Sequence, residues 1–178
     1  MDFRERLTET SFVIEYAREG SLQDLIGTAD SLAPKVMIRY AGHILKAVDY
    51  LHDQGLVHND IKPSNILISK KDRAKLSDFA FSGNIGEETF NHLPESMIVG
   101  TDLYKPRSER HSRINSVHHD IYAIGIVLYQ LFNRSVRPDR IDLNQLLYKE
   151  IQTIVAYCMA GHYKRVSDIQ TELEAIPV

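Results

Sequence analysis

The sequence predicts an α+β fold that is mainly helical. Two observations point there. Strand-like runs of β-branched and aromatic residues are confined to the first sixteen positions and to three short apolar stretches within 56–79. Elsewhere, apolar residues recur at three- and four-residue steps or fill whole segments, as helices packed on a core require. The chain has 178 residues, enough to bury a sizeable core, and no linker divides it.

The elements follow in order. Phe3–Thr8 and Ser11–Tyr16 read as a β-hairpin, the second strand the stronger. Gly20–Ile26 reads as a short helix, with Ser21 as its cap and Asp24 near the positive end of its dipole. Pro34 sits where a second helix begins. Met37, Tyr40, Ile44, Val48 and Leu51 form its apolar face, and Gly55 is its stop. Leu56-Val57, Ile66-Leu67-Ile68 and Ala74-Lys75-Leu76 read as small strands between functional loops. Residues 80–118 are polar and aperiodic, which predicts a long loop. Asp120–Phe132 is apolar almost all round and predicts a buried central helix. Asp142 opens another helix to about Ala160, and Ser167 with Gln170 forms a capping box for the last.

Composition narrows the function classes. Hydrophobic residues make up 43% and charged residues 25%, values of an ordered globular chain. Twenty-one basic residues against 24 acidic ones give a net charge of −3, which argues against broad nucleic-acid binding. No apolar run is long enough to span a bilayer, and Met1-Asp2-Phe3-Arg4-Glu5-Arg6 is too charged for a signal peptide. The expectation is a soluble, cytoplasmic protein. Cys158, the single cysteine, excludes an internal disulfide and reads as a buried, inert thiol in a helix.

The chemistry is concentrated in His58-Asn59-Asp60-Ile61-Lys62-Pro63-Ser64-Asn65 and in Asp78-Phe79-Ala80. Phosphoryl transfer needs a carboxylate to take or orient a hydroxyl proton, a cation beside the moving phosphate, and oxygen ligands for Mg²⁺. Asp60 meets the first need, Lys62 the second, and Asn65 with Asp78 the third. A lone Asp or Lys in a loop is usually solvated surface; four at this spacing are not so easily dismissed. His118-His119-Asp120 could suggest a metal ligand cluster.

These residues resemble the protein kinase family. The first run is similar to H-R-D-x-K-x-x-N with Asn59 in place of the arginine, and the second to D-F-G with Ala80 in place of the glycine. Phe12–Ala17 resembles the family's last small-lobe strand and hinge, with Ile14 as gatekeeper. Gly100–Tyr104 resembles the end of an activation segment, Asp120–Gly125 the D-x-W-x-x-G helix, and Lys164–Ser167 the stretch before the final helix. The match runs through nearly the whole chain in order.

The resemblance implies a kinase-like large (C-terminal) lobe over 19–178 with a residual hairpin and hinge at 1–18, in one domain over 1–178. It implies Asp60 and Lys62 as catalytic residues, Asn65 and Asp78 as metal ligands, and Ile14, Glu15, Ala17 and Leu67 around adenine. It places His58, Phe79 and Asp120 in the regulatory stack, and Leu22, Val127 and Leu131 beneath Leu67. Lys62 in H-x-D-x-K-P resembles the serine/threonine group.

Departures from the pattern shape the functional expectation. No G-x-G-x-x-G occurs, and the lysine strand and glutamate helix of the small lobe have no counterpart before the hinge-like residues. Asn59 removes the arginine that grips a phosphorylated segment, and Ala80 lacks glycine's freedom at φ > 0. Pro106-Arg107-Ser108 occupies the A-P-E position, which leaves Glu109 as a substitute partner for Arg165.

The leading expectation is a degenerate, pseudokinase-type protein that binds or inhibits a protein partner, with ATP and Mg²⁺ bound weakly or only beside that partner. A homodimer through the hairpin edge is a further expectation. The alternatives are an active minimal or split serine/threonine kinase, and a fragment of a longer one. No membrane or nucleic-acid partner is expected.

Overall fold

The computed structural model describes residues 16–28, 32–88, 100–135 and 141–177. The expected hairpin, apart from Tyr16, lies outside those residues, as do Ile14 and Glu15 of the expected adenine site.

Helix α1 spans Leu22–Thr28. Ser21 and Asp24 cap it reciprocally: the Ser21 hydroxyl accepts from the Asp24 amide at 3.2 Å, and the Asp24 carboxylate accepts from the Ser21 amide at 2.9 Å. Helix α2 spans Pro34–Asp53, with proline in its first turn, and its apolar face buries Met37, Tyr40, Ile44 and Val48. Gly55, at φ 75°, turns the chain away just past the Gln54 cap.

Four short strands follow: β1 (Leu56–Val57), β2 (Ile66–Ile68), β3 (Ala74–Leu76) and β4 (Gly83–Asn84). β2 and β3 pair antiparallel with Ile66 opposite Leu76, and β1 pairs with β4 with Val57 opposite Gly83. These two ribbons carry the chemically suggestive loops between them. The stretch read as one long loop therefore opens with β4 and, after residue 100, contains two single 3-10 turns, Asp102–Tyr104 and Arg107–Glu109.

Helix α3 spans Val117–Asn133 and begins three residues before the expected start, because the Ser116 hydroxyl accepts from the His118 amide at 3.2 Å. It is buried almost throughout, from Ile121 to Leu131. Helix α4 (Lys149–Met159) lies against α3, and α5 (Val166–Glu174) against α2. Cys158 is fully buried in α4, and burial pushes its thiol well above the usual range.

Two helix starts differ from the sequence reading. Asp142 caps only a 3-10 turn, Leu143–Gln145, through the Asn144 amide at 3.1 Å. Leu146 is then drawn into the core in an extended conformation, which postpones α4 to Lys149. At α5, fully buried Val166 is the first helical residue, so Ser167 sits inside the helix rather than at its cap. Gln170 there donates to Glu174 at 2.8 Å instead of closing a capping box.

Among the described residues, no helix is long and apolar enough to cross a membrane.

Candidate functional site

Between β1 and β2 the chain makes a tight loop that ends in a single 3-10 turn, Pro63–Asn65. Asn59 takes φ 64°, and its amide and that of His58 turn inward onto one carboxylate, that of fully buried Asp120. Asp120 Oδ2 accepts from the His58 amide at 2.8 Å, Oδ1 accepts from the Asn59 amide at 2.9 Å, and His52 Nε2 lies 2.9 Å from Oδ2. The first turn of α3 thus sets the loop's backbone. His58 is held further: its Nε2 donates to the Ser77 carbonyl at 3.1 Å, and its ring lies 4.9 Å from that of Phe79.

Asp60 emerges from this loop 2% exposed. Three donors converge on its carboxylate. Lys62 Nζ reaches Oδ2 at 2.7 Å, Asn65 Nδ2 reaches Oδ2 at 2.9 Å, and Thr101 Oγ1 donates to Oδ1 at 2.7 Å. Lys62 Nζ also donates to Thr101 Oγ1 at 2.9 Å, closing a triangle of carboxylate, ammonium and hydroxyl. Thr101 reaches this spot because Gly100, at φ 82°, passes directly over the loop. A Cβ on Gly100 would lie 2.4 Å from the Asn59 carbonyl oxygen, so only glycine fits.

Asn65 and Asp78 come together through Ser77, whose amide and hydroxyl both donate to the Asn65 carbonyl at 2.9 Å. Asn65 spends its Nδ2 on Asp60, which leaves Oδ1 as the ligand atom it can offer. Asp78 is exposed at φ 62°, and among the described residues its carboxylate receives one long 3.4 Å contact, from the Ala80 amide. One free carboxylate and one amide oxygen suit Mg²⁺, which keeps several waters and takes one or two protein carboxylates plus phosphate oxygens. Ala80 is not in the left-handed region, so the glycine's absence strains nothing; Asp78 carries that turn.

Beside Asp78 is a cavity of about 240 Å³ lined by Ala17, Leu67, Leu76, Ser77, Asp78 and Phe79, among others. Complete small-molecule pockets run to about 300–1,000 Å³. Leu22, Val127 and Leu131 are buried in the core. Phe79 is 50% exposed and Tyr16 83% exposed, so the described residues form a floor without a cover.

Asp60, Lys62, Asn65 and Asp78 therefore sit on two adjoining loops, with Ala17 and Leu67 at the cavity beside them. Thr101 belongs to the same cluster. Local spacing does not single it out, because it lies 41 residues from Asp60 along the chain.

Glu109 takes a different partner from the one expected. Its two oxygens each receive a 3.0 Å hydrogen bond, from His118 Nδ1 and His119 Nε2 at the start of α3. Arg165 is exposed and makes no ion pair among the described residues.

Burial, reinforced by Lys105, holds His119 below its ordinary value of 6.5. The folded chain then binds fewer protons than the unfolded one below that value, so stability present above it is lost as pH falls. The urea midpoint should fall between about pH 7 and pH 5, and His119→Gln should make that fall shallower. His43, lowered by burial and by Arg39, Arg73 and Lys46, adds a remainder of the same sign. An unchanged slope in His119→Gln would exclude His119 as a contributor.

Comparison with known proteins gives a uniform answer. A model of the protein kinase domain matches residues 1–176. The chain is similar to the serine/threonine-protein kinase PKH1 of Saccharomyces cerevisiae, 31% identical over 172 residues, which is 91% of this chain and 22% of that protein. It is 33% identical over 125 residues to the serine/threonine-protein kinase mos of Patiria pectinifera, covering 68% of this chain and 36% of that one. It is 28% identical over 119 residues to PknB of Mycolicibacterium smegmatis, covering 67% and 19%. The chain thus spans between a fifth and about a third of the length of these relatives.

Proposed function

The chain belongs to the protein kinase family, and from that premise we propose that it forms the large-lobe half of a serine/threonine kinase site. In this reading the site works once a phosphate-covering element completes it. The supporting observation is the Asp60–Lys62–Thr101 triangle, closed by contacts of 2.7 and 2.9 Å. Donors on both oxygens fix the orientation of the Asp60 carboxylate.

ATP with Mg²⁺ would supply the electrophilic phosphoryl group. Asp60 takes the proton of a protein serine or threonine hydroxyl, and Lys62 offsets the charge that develops beside it. Asn65 Oδ1 and the Asp78 carboxylate would hold the metal. Ala17 and Leu67, which line the cavity, would receive the adenine.

The 178 residues contain no glycine-rich phosphate loop. Each preorganised donor of that kind is worth about 3 kcal/mol in the transition state. These residues alone would then transfer phosphate slowly and need a protein partner or further chain to work well. A degenerate, partner-binding role without transfer is the second reading. It is favoured by the apolar surface beside the cleft, where Tyr16 and half-exposed Phe79 offer something to cover.

Calorimetric titration with ATP tests the half-site. Binding should require Mg²⁺, and Asp78→Asn should weaken it at least ~10-fold. Binding indifferent to both Mg²⁺ and Asp78→Asn would remove the metal assignment. Mg²⁺-dependent binding without phosphate transfer, even beside a natural partner, would leave the partner-binding reading.

A further inference from the structure

Asn59 stands where the resembled pattern has an arginine; it is buried, its Oδ1 has no hydrogen-bond partner among the described residues, and its Nδ2 makes the carboxamide's contacts. Its Nδ2 uses both hydrogens: one bond goes to the Phe81 carbonyl at 2.9 Å and the other to Asn115 Oδ1 at 2.7 Å. Phe81 follows Asp78-Phe79-Ala80, and Asn115 precedes the cap of α3. Asn115 is itself only 3% exposed. Its Nδ2 donates to the Asn84 carbonyl at 2.9 Å, its amide donates to the Glu87 carbonyl at 2.9 Å, and its carbonyl accepts from the Gly86 amide at 2.8 Å.

The orientation of both carboxamides follows from their ends. Phe81 and Asn84 present backbone carbonyls, which only accept, so each must face an NH₂ group. The two side chains form a neutral clasp from the catalytic loop to both described flanks of the intervening segment, 78–88 and 100–116. The clasp also reaches the candidate base. The Asn59 carbonyl lies under Gly100, Gly100 precedes Thr101, and Thr101 donates to Asp60.

We propose that Asn115 is a positioning residue: through Asn59 it holds these flanks, and with them the Asp60–Thr101 contact, in working order with no phosphate on the segment. Its consequence for transfer rests on the kinase reading above; the clasp itself does not.

Hydrogen exchange on the full chain tests it with two independent variants. Asn115→Ala deletes the clasp. Gly83→Ala leaves every clasp residue in place, but its Cβ would fall 2.4 Å from Asn115 Nδ2 and push that amide away. In both, amides across 82–88 and 100–105 should exchange ~10-fold faster, with α2 and α5 changed less than about twofold. Asn115→Asp keeps the oxygen that faces Asn59 and replaces the donor to Asn84 with a charged acceptor that the Asn84 carbonyl repels. It should restore protection at 100–105 but not at 82–88. Phosphatase treatment of the unaltered chain should change nothing.

Unchanged protection at 82–88 in both variants overturns the proposal. So does uniform loss of protection in both, which would assign the pair to folding alone. So does loosening by phosphatase equal to that of Asn115→Ala. Where the completed site transfers phosphate, Asn115→Ala should lower kcat ~10-fold with KM for ATP unchanged. A chain that transfers no phosphate at all would fail the kinase reading and leave the exchange result standing.

Discussion

Asp60→Asn should reduce phosphate transfer about 1,000-fold, the middle of the range for removing a positioned general base. The expectation comes from the way the carboxylate is held. Lys62, Asn65 and Thr101 all present donors to it, at 2.7 to 2.9 Å. An asparagine must turn an NH₂ toward one of them. Facing Thr101 is the less costly choice, because that hydroxyl can rotate and accept, whereas Lys62 and Asn65 Nδ2 cannot. The variant should therefore fold and still bind ATP with Mg²⁺ within about threefold, since Asn65 and Asp78 are untouched. Transfer of labelled γ-phosphate to a protein substrate, beside whatever completes the cleft, is the measurement. A loss smaller than tenfold would mean that Asp60 does not handle the proton.

The largest effect on stability should come from Asp120→Ala. Asp120 is fully buried and accepts from two loop amides, with the His52 ring on the same oxygen. Its removal strands the His58 and Asn59 N–H groups away from water, at about 1–3 kcal/mol each. A loss on the order of 4 kcal/mol is expected, against the ~5–15 kcal/mol that holds a typical domain together. Urea denaturation would read it as a lower midpoint with little change in slope. A loss below 1 kcal/mol would mean that water or a shifted loop replaces the carboxylate.

The main parts of the fold were legible where local chemistry decides them. The Ser21–Asp24 cap, Pro34 at a helix start and the three short apolar strands need only their neighbours in sequence. Asp60, Lys62, Asn65 and Asp78 lie within nineteen residues on two loops, so their grouping, though not their roles, can be read from spacing. What escaped depends on distant partners. Thr101 meets Asp60 across 41 residues, and Asn115 meets Asn59 across 56. No periodicity or spacing encodes such pairings; they arise where the Gly100 turn and the α3 cap bring the chain back. The displaced starts of α4 and α5 have a related cause. Leu146 and Val166 are pulled into a core whose shape is set by other helices, and burial there outweighs the local capping signals of Asp142 and Ser167.

The lone thiol has a practical corollary. Cys158 is sealed inside α4 and stays protonated. Alkylating dyes and mild oxidants should therefore pass the native molecule by. A second cysteine placed at outward-facing Tyr50 or Leu147 would become its sole labelling handle, with no need to delete the original.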